Sequence, residues 1–121
     1  MKNPNLSKEQ QEVLFNKATE TPFTGALLNE HNDGEYLCAN CNQPLFHSSN
    51  KYESGSGWPS FDDAVEGAIT FETDTEFGMV RTEINCANCG GHLGHMFEDG
   101  PADTTGLRYC VNSLSLDFKK K

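Results

Sequence analysis

The sequence predicts a mainly β domain, antiparallel in its pairing, with one helix at its N-terminus and a structural zinc site. Three observations point there. From residue 34 onward the chain runs in short alternating segments separated by Gly, Asn, Asp and Pro, the pattern of strands joined by tight turns. Ahead of them, Ser7 and Gln10 have capping-box spacing, and Val13, Leu14 and Ala18 follow at helical intervals. The tetrapeptide Cys-Ala-Asn-Cys occurs twice, at 38–41 and 86–89, which supplies four thiols in two close pairs.

The elements follow in order. A helix is expected over 8–19, stopped by Thr21-Pro22 because the residue before proline avoids helical backbone. Pro22-Phe23-Thr24-Gly25 reads as a turn. Strands are expected at 34–38, 43–47, 68–73, 79–85, 92–97 and 108–118. The segments 48–60 and 98–106 read as long irregular loops, the kind that carry function on a rigid frame.

Composition bounds the answer. The 121 residues make one ordinary domain, and at 36% hydrophobic with eight phenylalanines it fills a modest core that a metal would help to secure. A formal charge of −9 repels phosphate backbones, so nucleic acid and anionic membrane are poor partners. No stretch has the length of a transmembrane helix, and residues 1–15 contain no apolar signal core. The chain reads as cytoplasmic, where thiols stay reduced. A monomer is the default expectation.

Cys38, Cys41, Cys86 and Cys89 form two CxxC pairs able to place four thiolates around one tetrahedral ion. Asn42 after the first pair and Gly90-Gly91 after the second tolerate the positive φ that a tight knuckle requires. Redox dithiols and disulfides are the competing readings. A redox CxxC opens a helix, and nothing helical follows either pair. One zinc, closed by four ligands and structural in role, is the reading adopted.

The fifth cysteine stands apart, in Leu107-Arg-Tyr-Cys-Val-Asn112. Strand alternation puts Arg108, Cys110 and Asn112 on one face. A guanidinium and an amide flanking the sulfur are expected to favour thiolate over thiol. A buried structural cysteine is the alternative. His92 and His95, directly after the second CxxC pair, turn the balance toward a polar reactive site.

Taken in order, the paired CxxC motifs, Gly57-Trp-Pro-Ser-Phe61, His92-Leu-Gly-His95 and Arg108-Tyr-Cys-Val-Asn-Ser113 resemble the B-type methionine sulfoxide reductases, which act on the R epimer of the sulfoxide. The likeness spans residues 9–118. It implies two small antiparallel sheets, with zinc at the edge away from the active site. It makes Cys110 the nucleophile, and it sets His92, His95, Asn112 and Arg108 along the polar side of the pocket. Trp58 corresponds to the aromatic that receives the substrate's methyl group, with Phe97 as a second substrate-binding residue. Oxidised proteins or free methionine R-sulfoxide are the implied substrates, and thioredoxin or a small thiol the implied reductant.

The residue types suit that chemistry. A sulfoxide sulfur becomes electrophilic when its oxygen is protonated or strongly hydrogen-bonded, so the site needs a donor, with His95 the first choice and His92 the second. A rigid indole in a glycine-rich loop can form one wall of an apolar cup for an S-methyl group. One departure stands out. Many members carry a resolving cysteine where this sequence has Ser56, so direct reduction of a sulfenic acid is expected. The rival reading, a zinc-stabilised β module that binds without turnover, has no need of Cys110 between Arg108 and Asn112.

Overall fold

The computed structural model describes residues 3–75 and 78–121. Helix α1 (Lys8–Asn16) starts as the capping box requires. The Ser7 hydroxyl accepts the Gln10 N–H at 3.1 Å, and the Gln10 side chain accepts the Ser7 N–H at 2.9 Å. It buries Val13 and Leu14 but stops three residues earlier than periodicity suggests. Lys17 takes a left-handed conformation at φ 59°, and its ammonium reaches Glu83 Oε1 at 3.2 Å. That tertiary ion pair, rather than the later proline, accompanies the end of the helix.

Among the described residues nine strands follow, all paired antiparallel, and they divide into two sheets. The smaller sheet has the order β2-β1-β9, from Pro44–His47, Gly34–Cys38 and Leu116–Lys120. The larger has the order β3-β4-β8-β7-β6-β5, from Lys51–Tyr52, Ser60–Phe61, Arg108–Val111, His92–Phe97, Arg81–Cys86 and Ile69–Asp74. The mainly antiparallel β fold with one helix and two sheets is therefore the observed one.

Two expectations need correction. Residues 108–118 are not one strand. The chain leaves the larger sheet at Val111, makes a 3₁₀ turn at Ser113–Ser115, and enters the smaller sheet as β9. Apolar residues alternate on both sides of the turn, Tyr109 and Val111 before it and Leu114, Leu116 and Phe118 after it, and the turn shows in the sequence only as a one-residue slip of phase. The loop at 48–60 also holds structure: a 3₁₀ turn at Ser48–Asn50 followed by β3, which pairs Lys51 with Phe61 and Tyr52 with Ser60.

The core lies between the sheets. Tyr36, Leu45, Phe46, Phe61, Ile84, Leu93 and Val111 are fully buried. Phe46 stacks on Phe61 with ring centroids 4.3 Å apart, and Tyr36 meets Phe61 edge-on at 5.0 Å. Each such pair contributes about 0.5–1.5 kcal/mol beyond simple burial. This aromatic wedge backs β4 and β8, so the strand carrying Cys110 rests on a rigid support. Among the described residues, no helix is long and apolar enough to cross a membrane.

Candidate active site and metal centre

Cys38 ends β1 and Cys86 ends β6, so the two CxxC knuckles project from different sheets. Asn42 and Gly90 take φ of 64° and 78°, and their N–H groups donate back to Cys38 O and Cys86 O at 2.8 Å. The Gly91 N–H also donates to Cys89 Sγ at 3.4 Å. The four sulfurs lie within 4.8 Å of one another, with Cys38–Cys89 and Cys41–Cys86 both at 3.6 Å. Metal–sulfur bonds of about 2.3 Å in a tetrahedron give sulfur–sulfur edges of about 3.8 Å, so this donor set can hold a metal ion. An ion there would tie the two sheets together at one edge.

Cys110 lies on β8, in the middle of the larger sheet. Directly opposed residues run across five strands in the row Glu72, Glu83, His95, Cys110 and Ser60. Opposed residues on one face touch, so cysteine and histidine are neighbours by register alone. The strands approach closely because position 94 is glycine: any Cβ there would strike the Cys110 carbonyl oxygen.

A cavity of about 220 Å³ opens over this face. Cys110, His95, Arg108, Asn112, Phe97 and Trp58 all line it, joined by Thr19, Ser56 and Arg81. Six of the seven non-metal site residues expected from the sequence thus meet in one cavity. The seventh, His92, lines a separate cavity next door, shared with His95, Lys17, Glu83, Asp74 and Arg81. His92 is buried, its Nδ1 sits 2.9 Å from Glu83 Oε2, and burial holds its pKa below the ordinary histidine value.

The polar wall is braced from behind. The Arg108 guanidinium donates twice to Asp99, at 2.8 and 3.2 Å, and lies 4.3 Å over the Phe97 ring. Asn112 is buried; its amide N–H donates to Leu93 O at 3.0 Å, and its oxygen accepts the Glu20 N–H at 3.0 Å. Trp58, in the same lining, is half-buried, and its indole N–H donates to Glu20 O at 3.0 Å. The loop can carry that indole because Gly57 has φ 95°, and Pro22 and Phe23 pack where its Cβ would be. The Phe23 N–H closes the contact by donating to Gly57 O at 2.7 Å.

The expected thiolate is corrected by burial. Enclosure pushes the Cys110 thiol above its ordinary pKa, and this outweighs the downward pull of the Arg108 charge. Ser56 belongs to a hydroxyl chain, with Ser54 Oγ 2.9 Å from Ser56 Oγ and 2.6 Å from Ser60 Oγ.

Sequence reasoning missed Asp74, Arg81, Glu83 and Glu20. Asp74 Oδ2 lies 2.8 Å from His95 Nε2 and accepts from Arg81 at 3.0 Å. Arg81 and Glu83 alternate along a strand, a pattern that reads as a solvent face, yet Glu83 is buried. Their alternation beside a histidine-bearing strand was the one available signal.

The SelR domain model matches residues 6–120. The chain is 55% identical over 117 residues to the peptide methionine sulfoxide reductase MsrB of Leptospira interrogans, covering 96% of this chain and 88% of the relative. It is 59% identical over 111 residues to the protein of the same name from Variovorax paradoxus, covering 91% and 81%. Among solved structures, the Mis18 Yippee-like domain superposes with a TM-score of 0.56 at 20% identity, over 74% of this chain and 97% of that one, a likeness of fold alone. With a domain match over almost its whole length and relatives above half identity, the chain belongs to the SelR-domain family, that of the B-type peptide methionine sulfoxide reductases.

Proposed function

We propose that this chain reduces the R epimer of methionine sulfoxide, protein-bound or free, with Cys110 as nucleophile and His95 as proton carrier. The observation that carries the reading is the opposition of Cys110 and His95 across two strands beneath a cavity that Trp58 also lines. The indole receives the S-methyl group, with Phe97 beside it, and Arg108 and Asn112 complete the polar wall. Apolar and polar walls on opposite sides suit one configuration at a stereogenic sulfur.

The first step balances from the resting state. The Cys110 thiol gives its proton to His95, and the thiolate sulfur bonds to the electrophilic sulfoxide centre. His95 passes that proton to the sulfoxide oxygen; the oxygen then moves to the Cys110 sulfur as the new sulfur–sulfur bond and the sulfur–oxygen bond of the substrate both break, which frees methionine. The net change is Cys110–SH plus sulfoxide to Cys110–SOH plus methionine. Cysteine sulfur loses two electrons and substrate sulfur gains them. Burial of the thiol suits this order, because the proton needed at oxygen arrives with the nucleophile.

With serine at position 56 and the other four cysteines gathered at the metal centre, the sulfenic acid is reduced from outside. Two external thiol groups, from thioredoxin or a small thiol, return Cys110–SH, a disulfide and water. Zinc is the ion assigned to the four cysteines, since a closed four-sulfur shell suits it and leaves it structural.

The test is Cys110→Ser. It is expected to abolish turnover while leaving circular dichroism and metal content unchanged. Full activity in that variant would end the nucleophile assignment. A folded wild-type protein that binds sulfoxide but never turns it over would favour the non-catalytic binding module.

A further inference from the structure

Resting on the reductase reading above, we infer that Asp74, clamped by Arg81, is the positioning residue that fixes the tautomer of His95 and so assigns its Nδ1 to the proton transfer at Cys110.

The geometry is specific. His95 Nε2 lies 2.8 Å from Asp74 Oδ2, with both side chains 13% exposed. A carboxylate at that distance accepts only, so Nε2 carries a hydrogen in both charge states of the ring. In the neutral ring the lone pair is then on Nδ1, which is the nitrogen able to take the Cys110 proton and hand it to the sulfoxide oxygen. Were the tautomer reversed, the ring would offer a hydrogen where the thiol needs an acceptor. A histidine oriented by a half-buried carboxylate follows the same logic as other acid–base sites in which a third group orients the base.

Arg81 makes this a clamp rather than a loose contact. Its guanidinium donates to the same Oδ2 at 3.0 Å, and Arg81 and Asp74 are directly opposed across β5 and β6. Asp74 is thereby held by its own strand pairing and by a cation before it reaches the histidine on β7. The second histidine is held in the same manner: Lys17 bonds Glu83, and Glu83 bonds His92 Nδ1. The two rings stand 5.7 Å apart at 71°. The attachments differ in the nitrogen used. Glu83 takes Nδ1 of His92, whereas Asp74 takes Nε2 of His95. Only His95 lines the cavity that contains Cys110.

The test has two readouts on the zinc-loaded full chain. In the resting wild type, long-range nitrogen–proton NMR of the histidine rings, with His95 assigned by loss of its signals in His95→Gln, is expected to report the Nε2–H tautomer. An Nδ1–H tautomer would overturn the inference, and this readout needs no activity. In Asp74→Asn, kcat for the R epimer is expected to fall by about 10²-fold, the lower range for positioned acid–base catalysis, with KM changed less than about threefold. Wild-type kcat, or a KM rise that accounts for the whole loss, would equally overturn it. If Asp74→Asn does not fold, the wild-type tautomer decides alone. Failure of the wild type to release methionine from either epimer would instead count against the reductase reading itself.

Discussion

Cys110 and His95 face each other directly across the β7–β8 pair, with Glu83 and Ser60 continuing the same row on either side. Register is enough to make the thiol and the imidazole neighbours; no loop has to close to bring them together. The backbone behind them is locked by the close approach at Gly94, and the reactive pair sits on strands rather than on mobile connections.

The burial of Cys110 has a direct consequence for its reactivity. Alkylation by iodoacetamide, followed against pH on the folded protein, is expected to rise only above the range of an ordinary cysteine, because enclosure disfavours the thiolate. Arg108→Met, which removes the charge that pulls the other way, moves the midpoint still higher. A midpoint below the ordinary range would contradict the assignment of a resting thiol.

The metal centre is expected to be inseparable from folding. Cys89→Ser removes one of four sulfurs that lie within 4.8 Å of one another and leaves the two sheets without their tie at that edge. Apparent zinc affinities in small four-ligand sites correspond to about 10–16 kcal/mol, comparable to the whole net stability of a domain of this size. Metal analysis and circular dichroism of the variant should show loss of zinc together with loss of structure. A folded, metal-free and active variant would contradict the structural role.

Glu20 offers a test on stability. It is buried, Oε1 accepts the Leu114 N–H at 2.9 Å, and Oε2 meets no partner among the described residues. Burial raises its pKa above the usual carboxylate value. A raised folded-state pKa means the favourable contribution is present below the unfolded value and is lost as pH rises through the folded one. Glu20→Gln keeps an acceptor for Leu114 without a buried charge. Its urea midpoint at pH 7 is expected to equal or exceed that of the wild type, with the advantage shrinking toward pH 4. A variant less stable at pH 7 by more than about 1 kcal/mol would show that the carboxylate is wanted.

Position 56 bears on how the spent enzyme is restored. Ser56 and Cys110 line the same cavity, so a thiol placed at position 56 opens onto the space that holds the spent sulfur. Ser56→Cys is expected to form a disulfide with Cys110 after one turnover, read as a loss of two hydrogens in the intact mass. A persistent sulfenic acid in that variant would mean the loop holds the two positions apart.

The strands at 34–38 and 92–97 were legible to the residue because turn formers bound them on both sides. The break at Asn112–Ser115 was not, since it shows only as a one-residue slip of phase between Val111 and Leu114, and its purpose, moving the chain between sheets, is a tertiary fact. In the site, Cys110, His95 and Trp58 could be read because such residues are rare and sit in unusual company. Asp74 and Arg81 could not. They look like exposed charges on an edge strand, and only the register of β5 and β6 with β7 brings Asp74 to the histidine ring. The enclosure that raises the Cys110 pKa was equally invisible, because a sequence lists neighbours along the strand and says little of what covers them.

The central claim is tested most directly by mixing the protein, without reductant, with each purified epimer of methionine sulfoxide, then measuring methionine released and the intact mass. The account predicts one methionine per chain from the R epimer only, and a protein heavier by one oxygen that a sulfenic-acid reagent traps at Cys110. Methionine release from both epimers, or from neither while the protein is folded and metal-loaded, would contradict it.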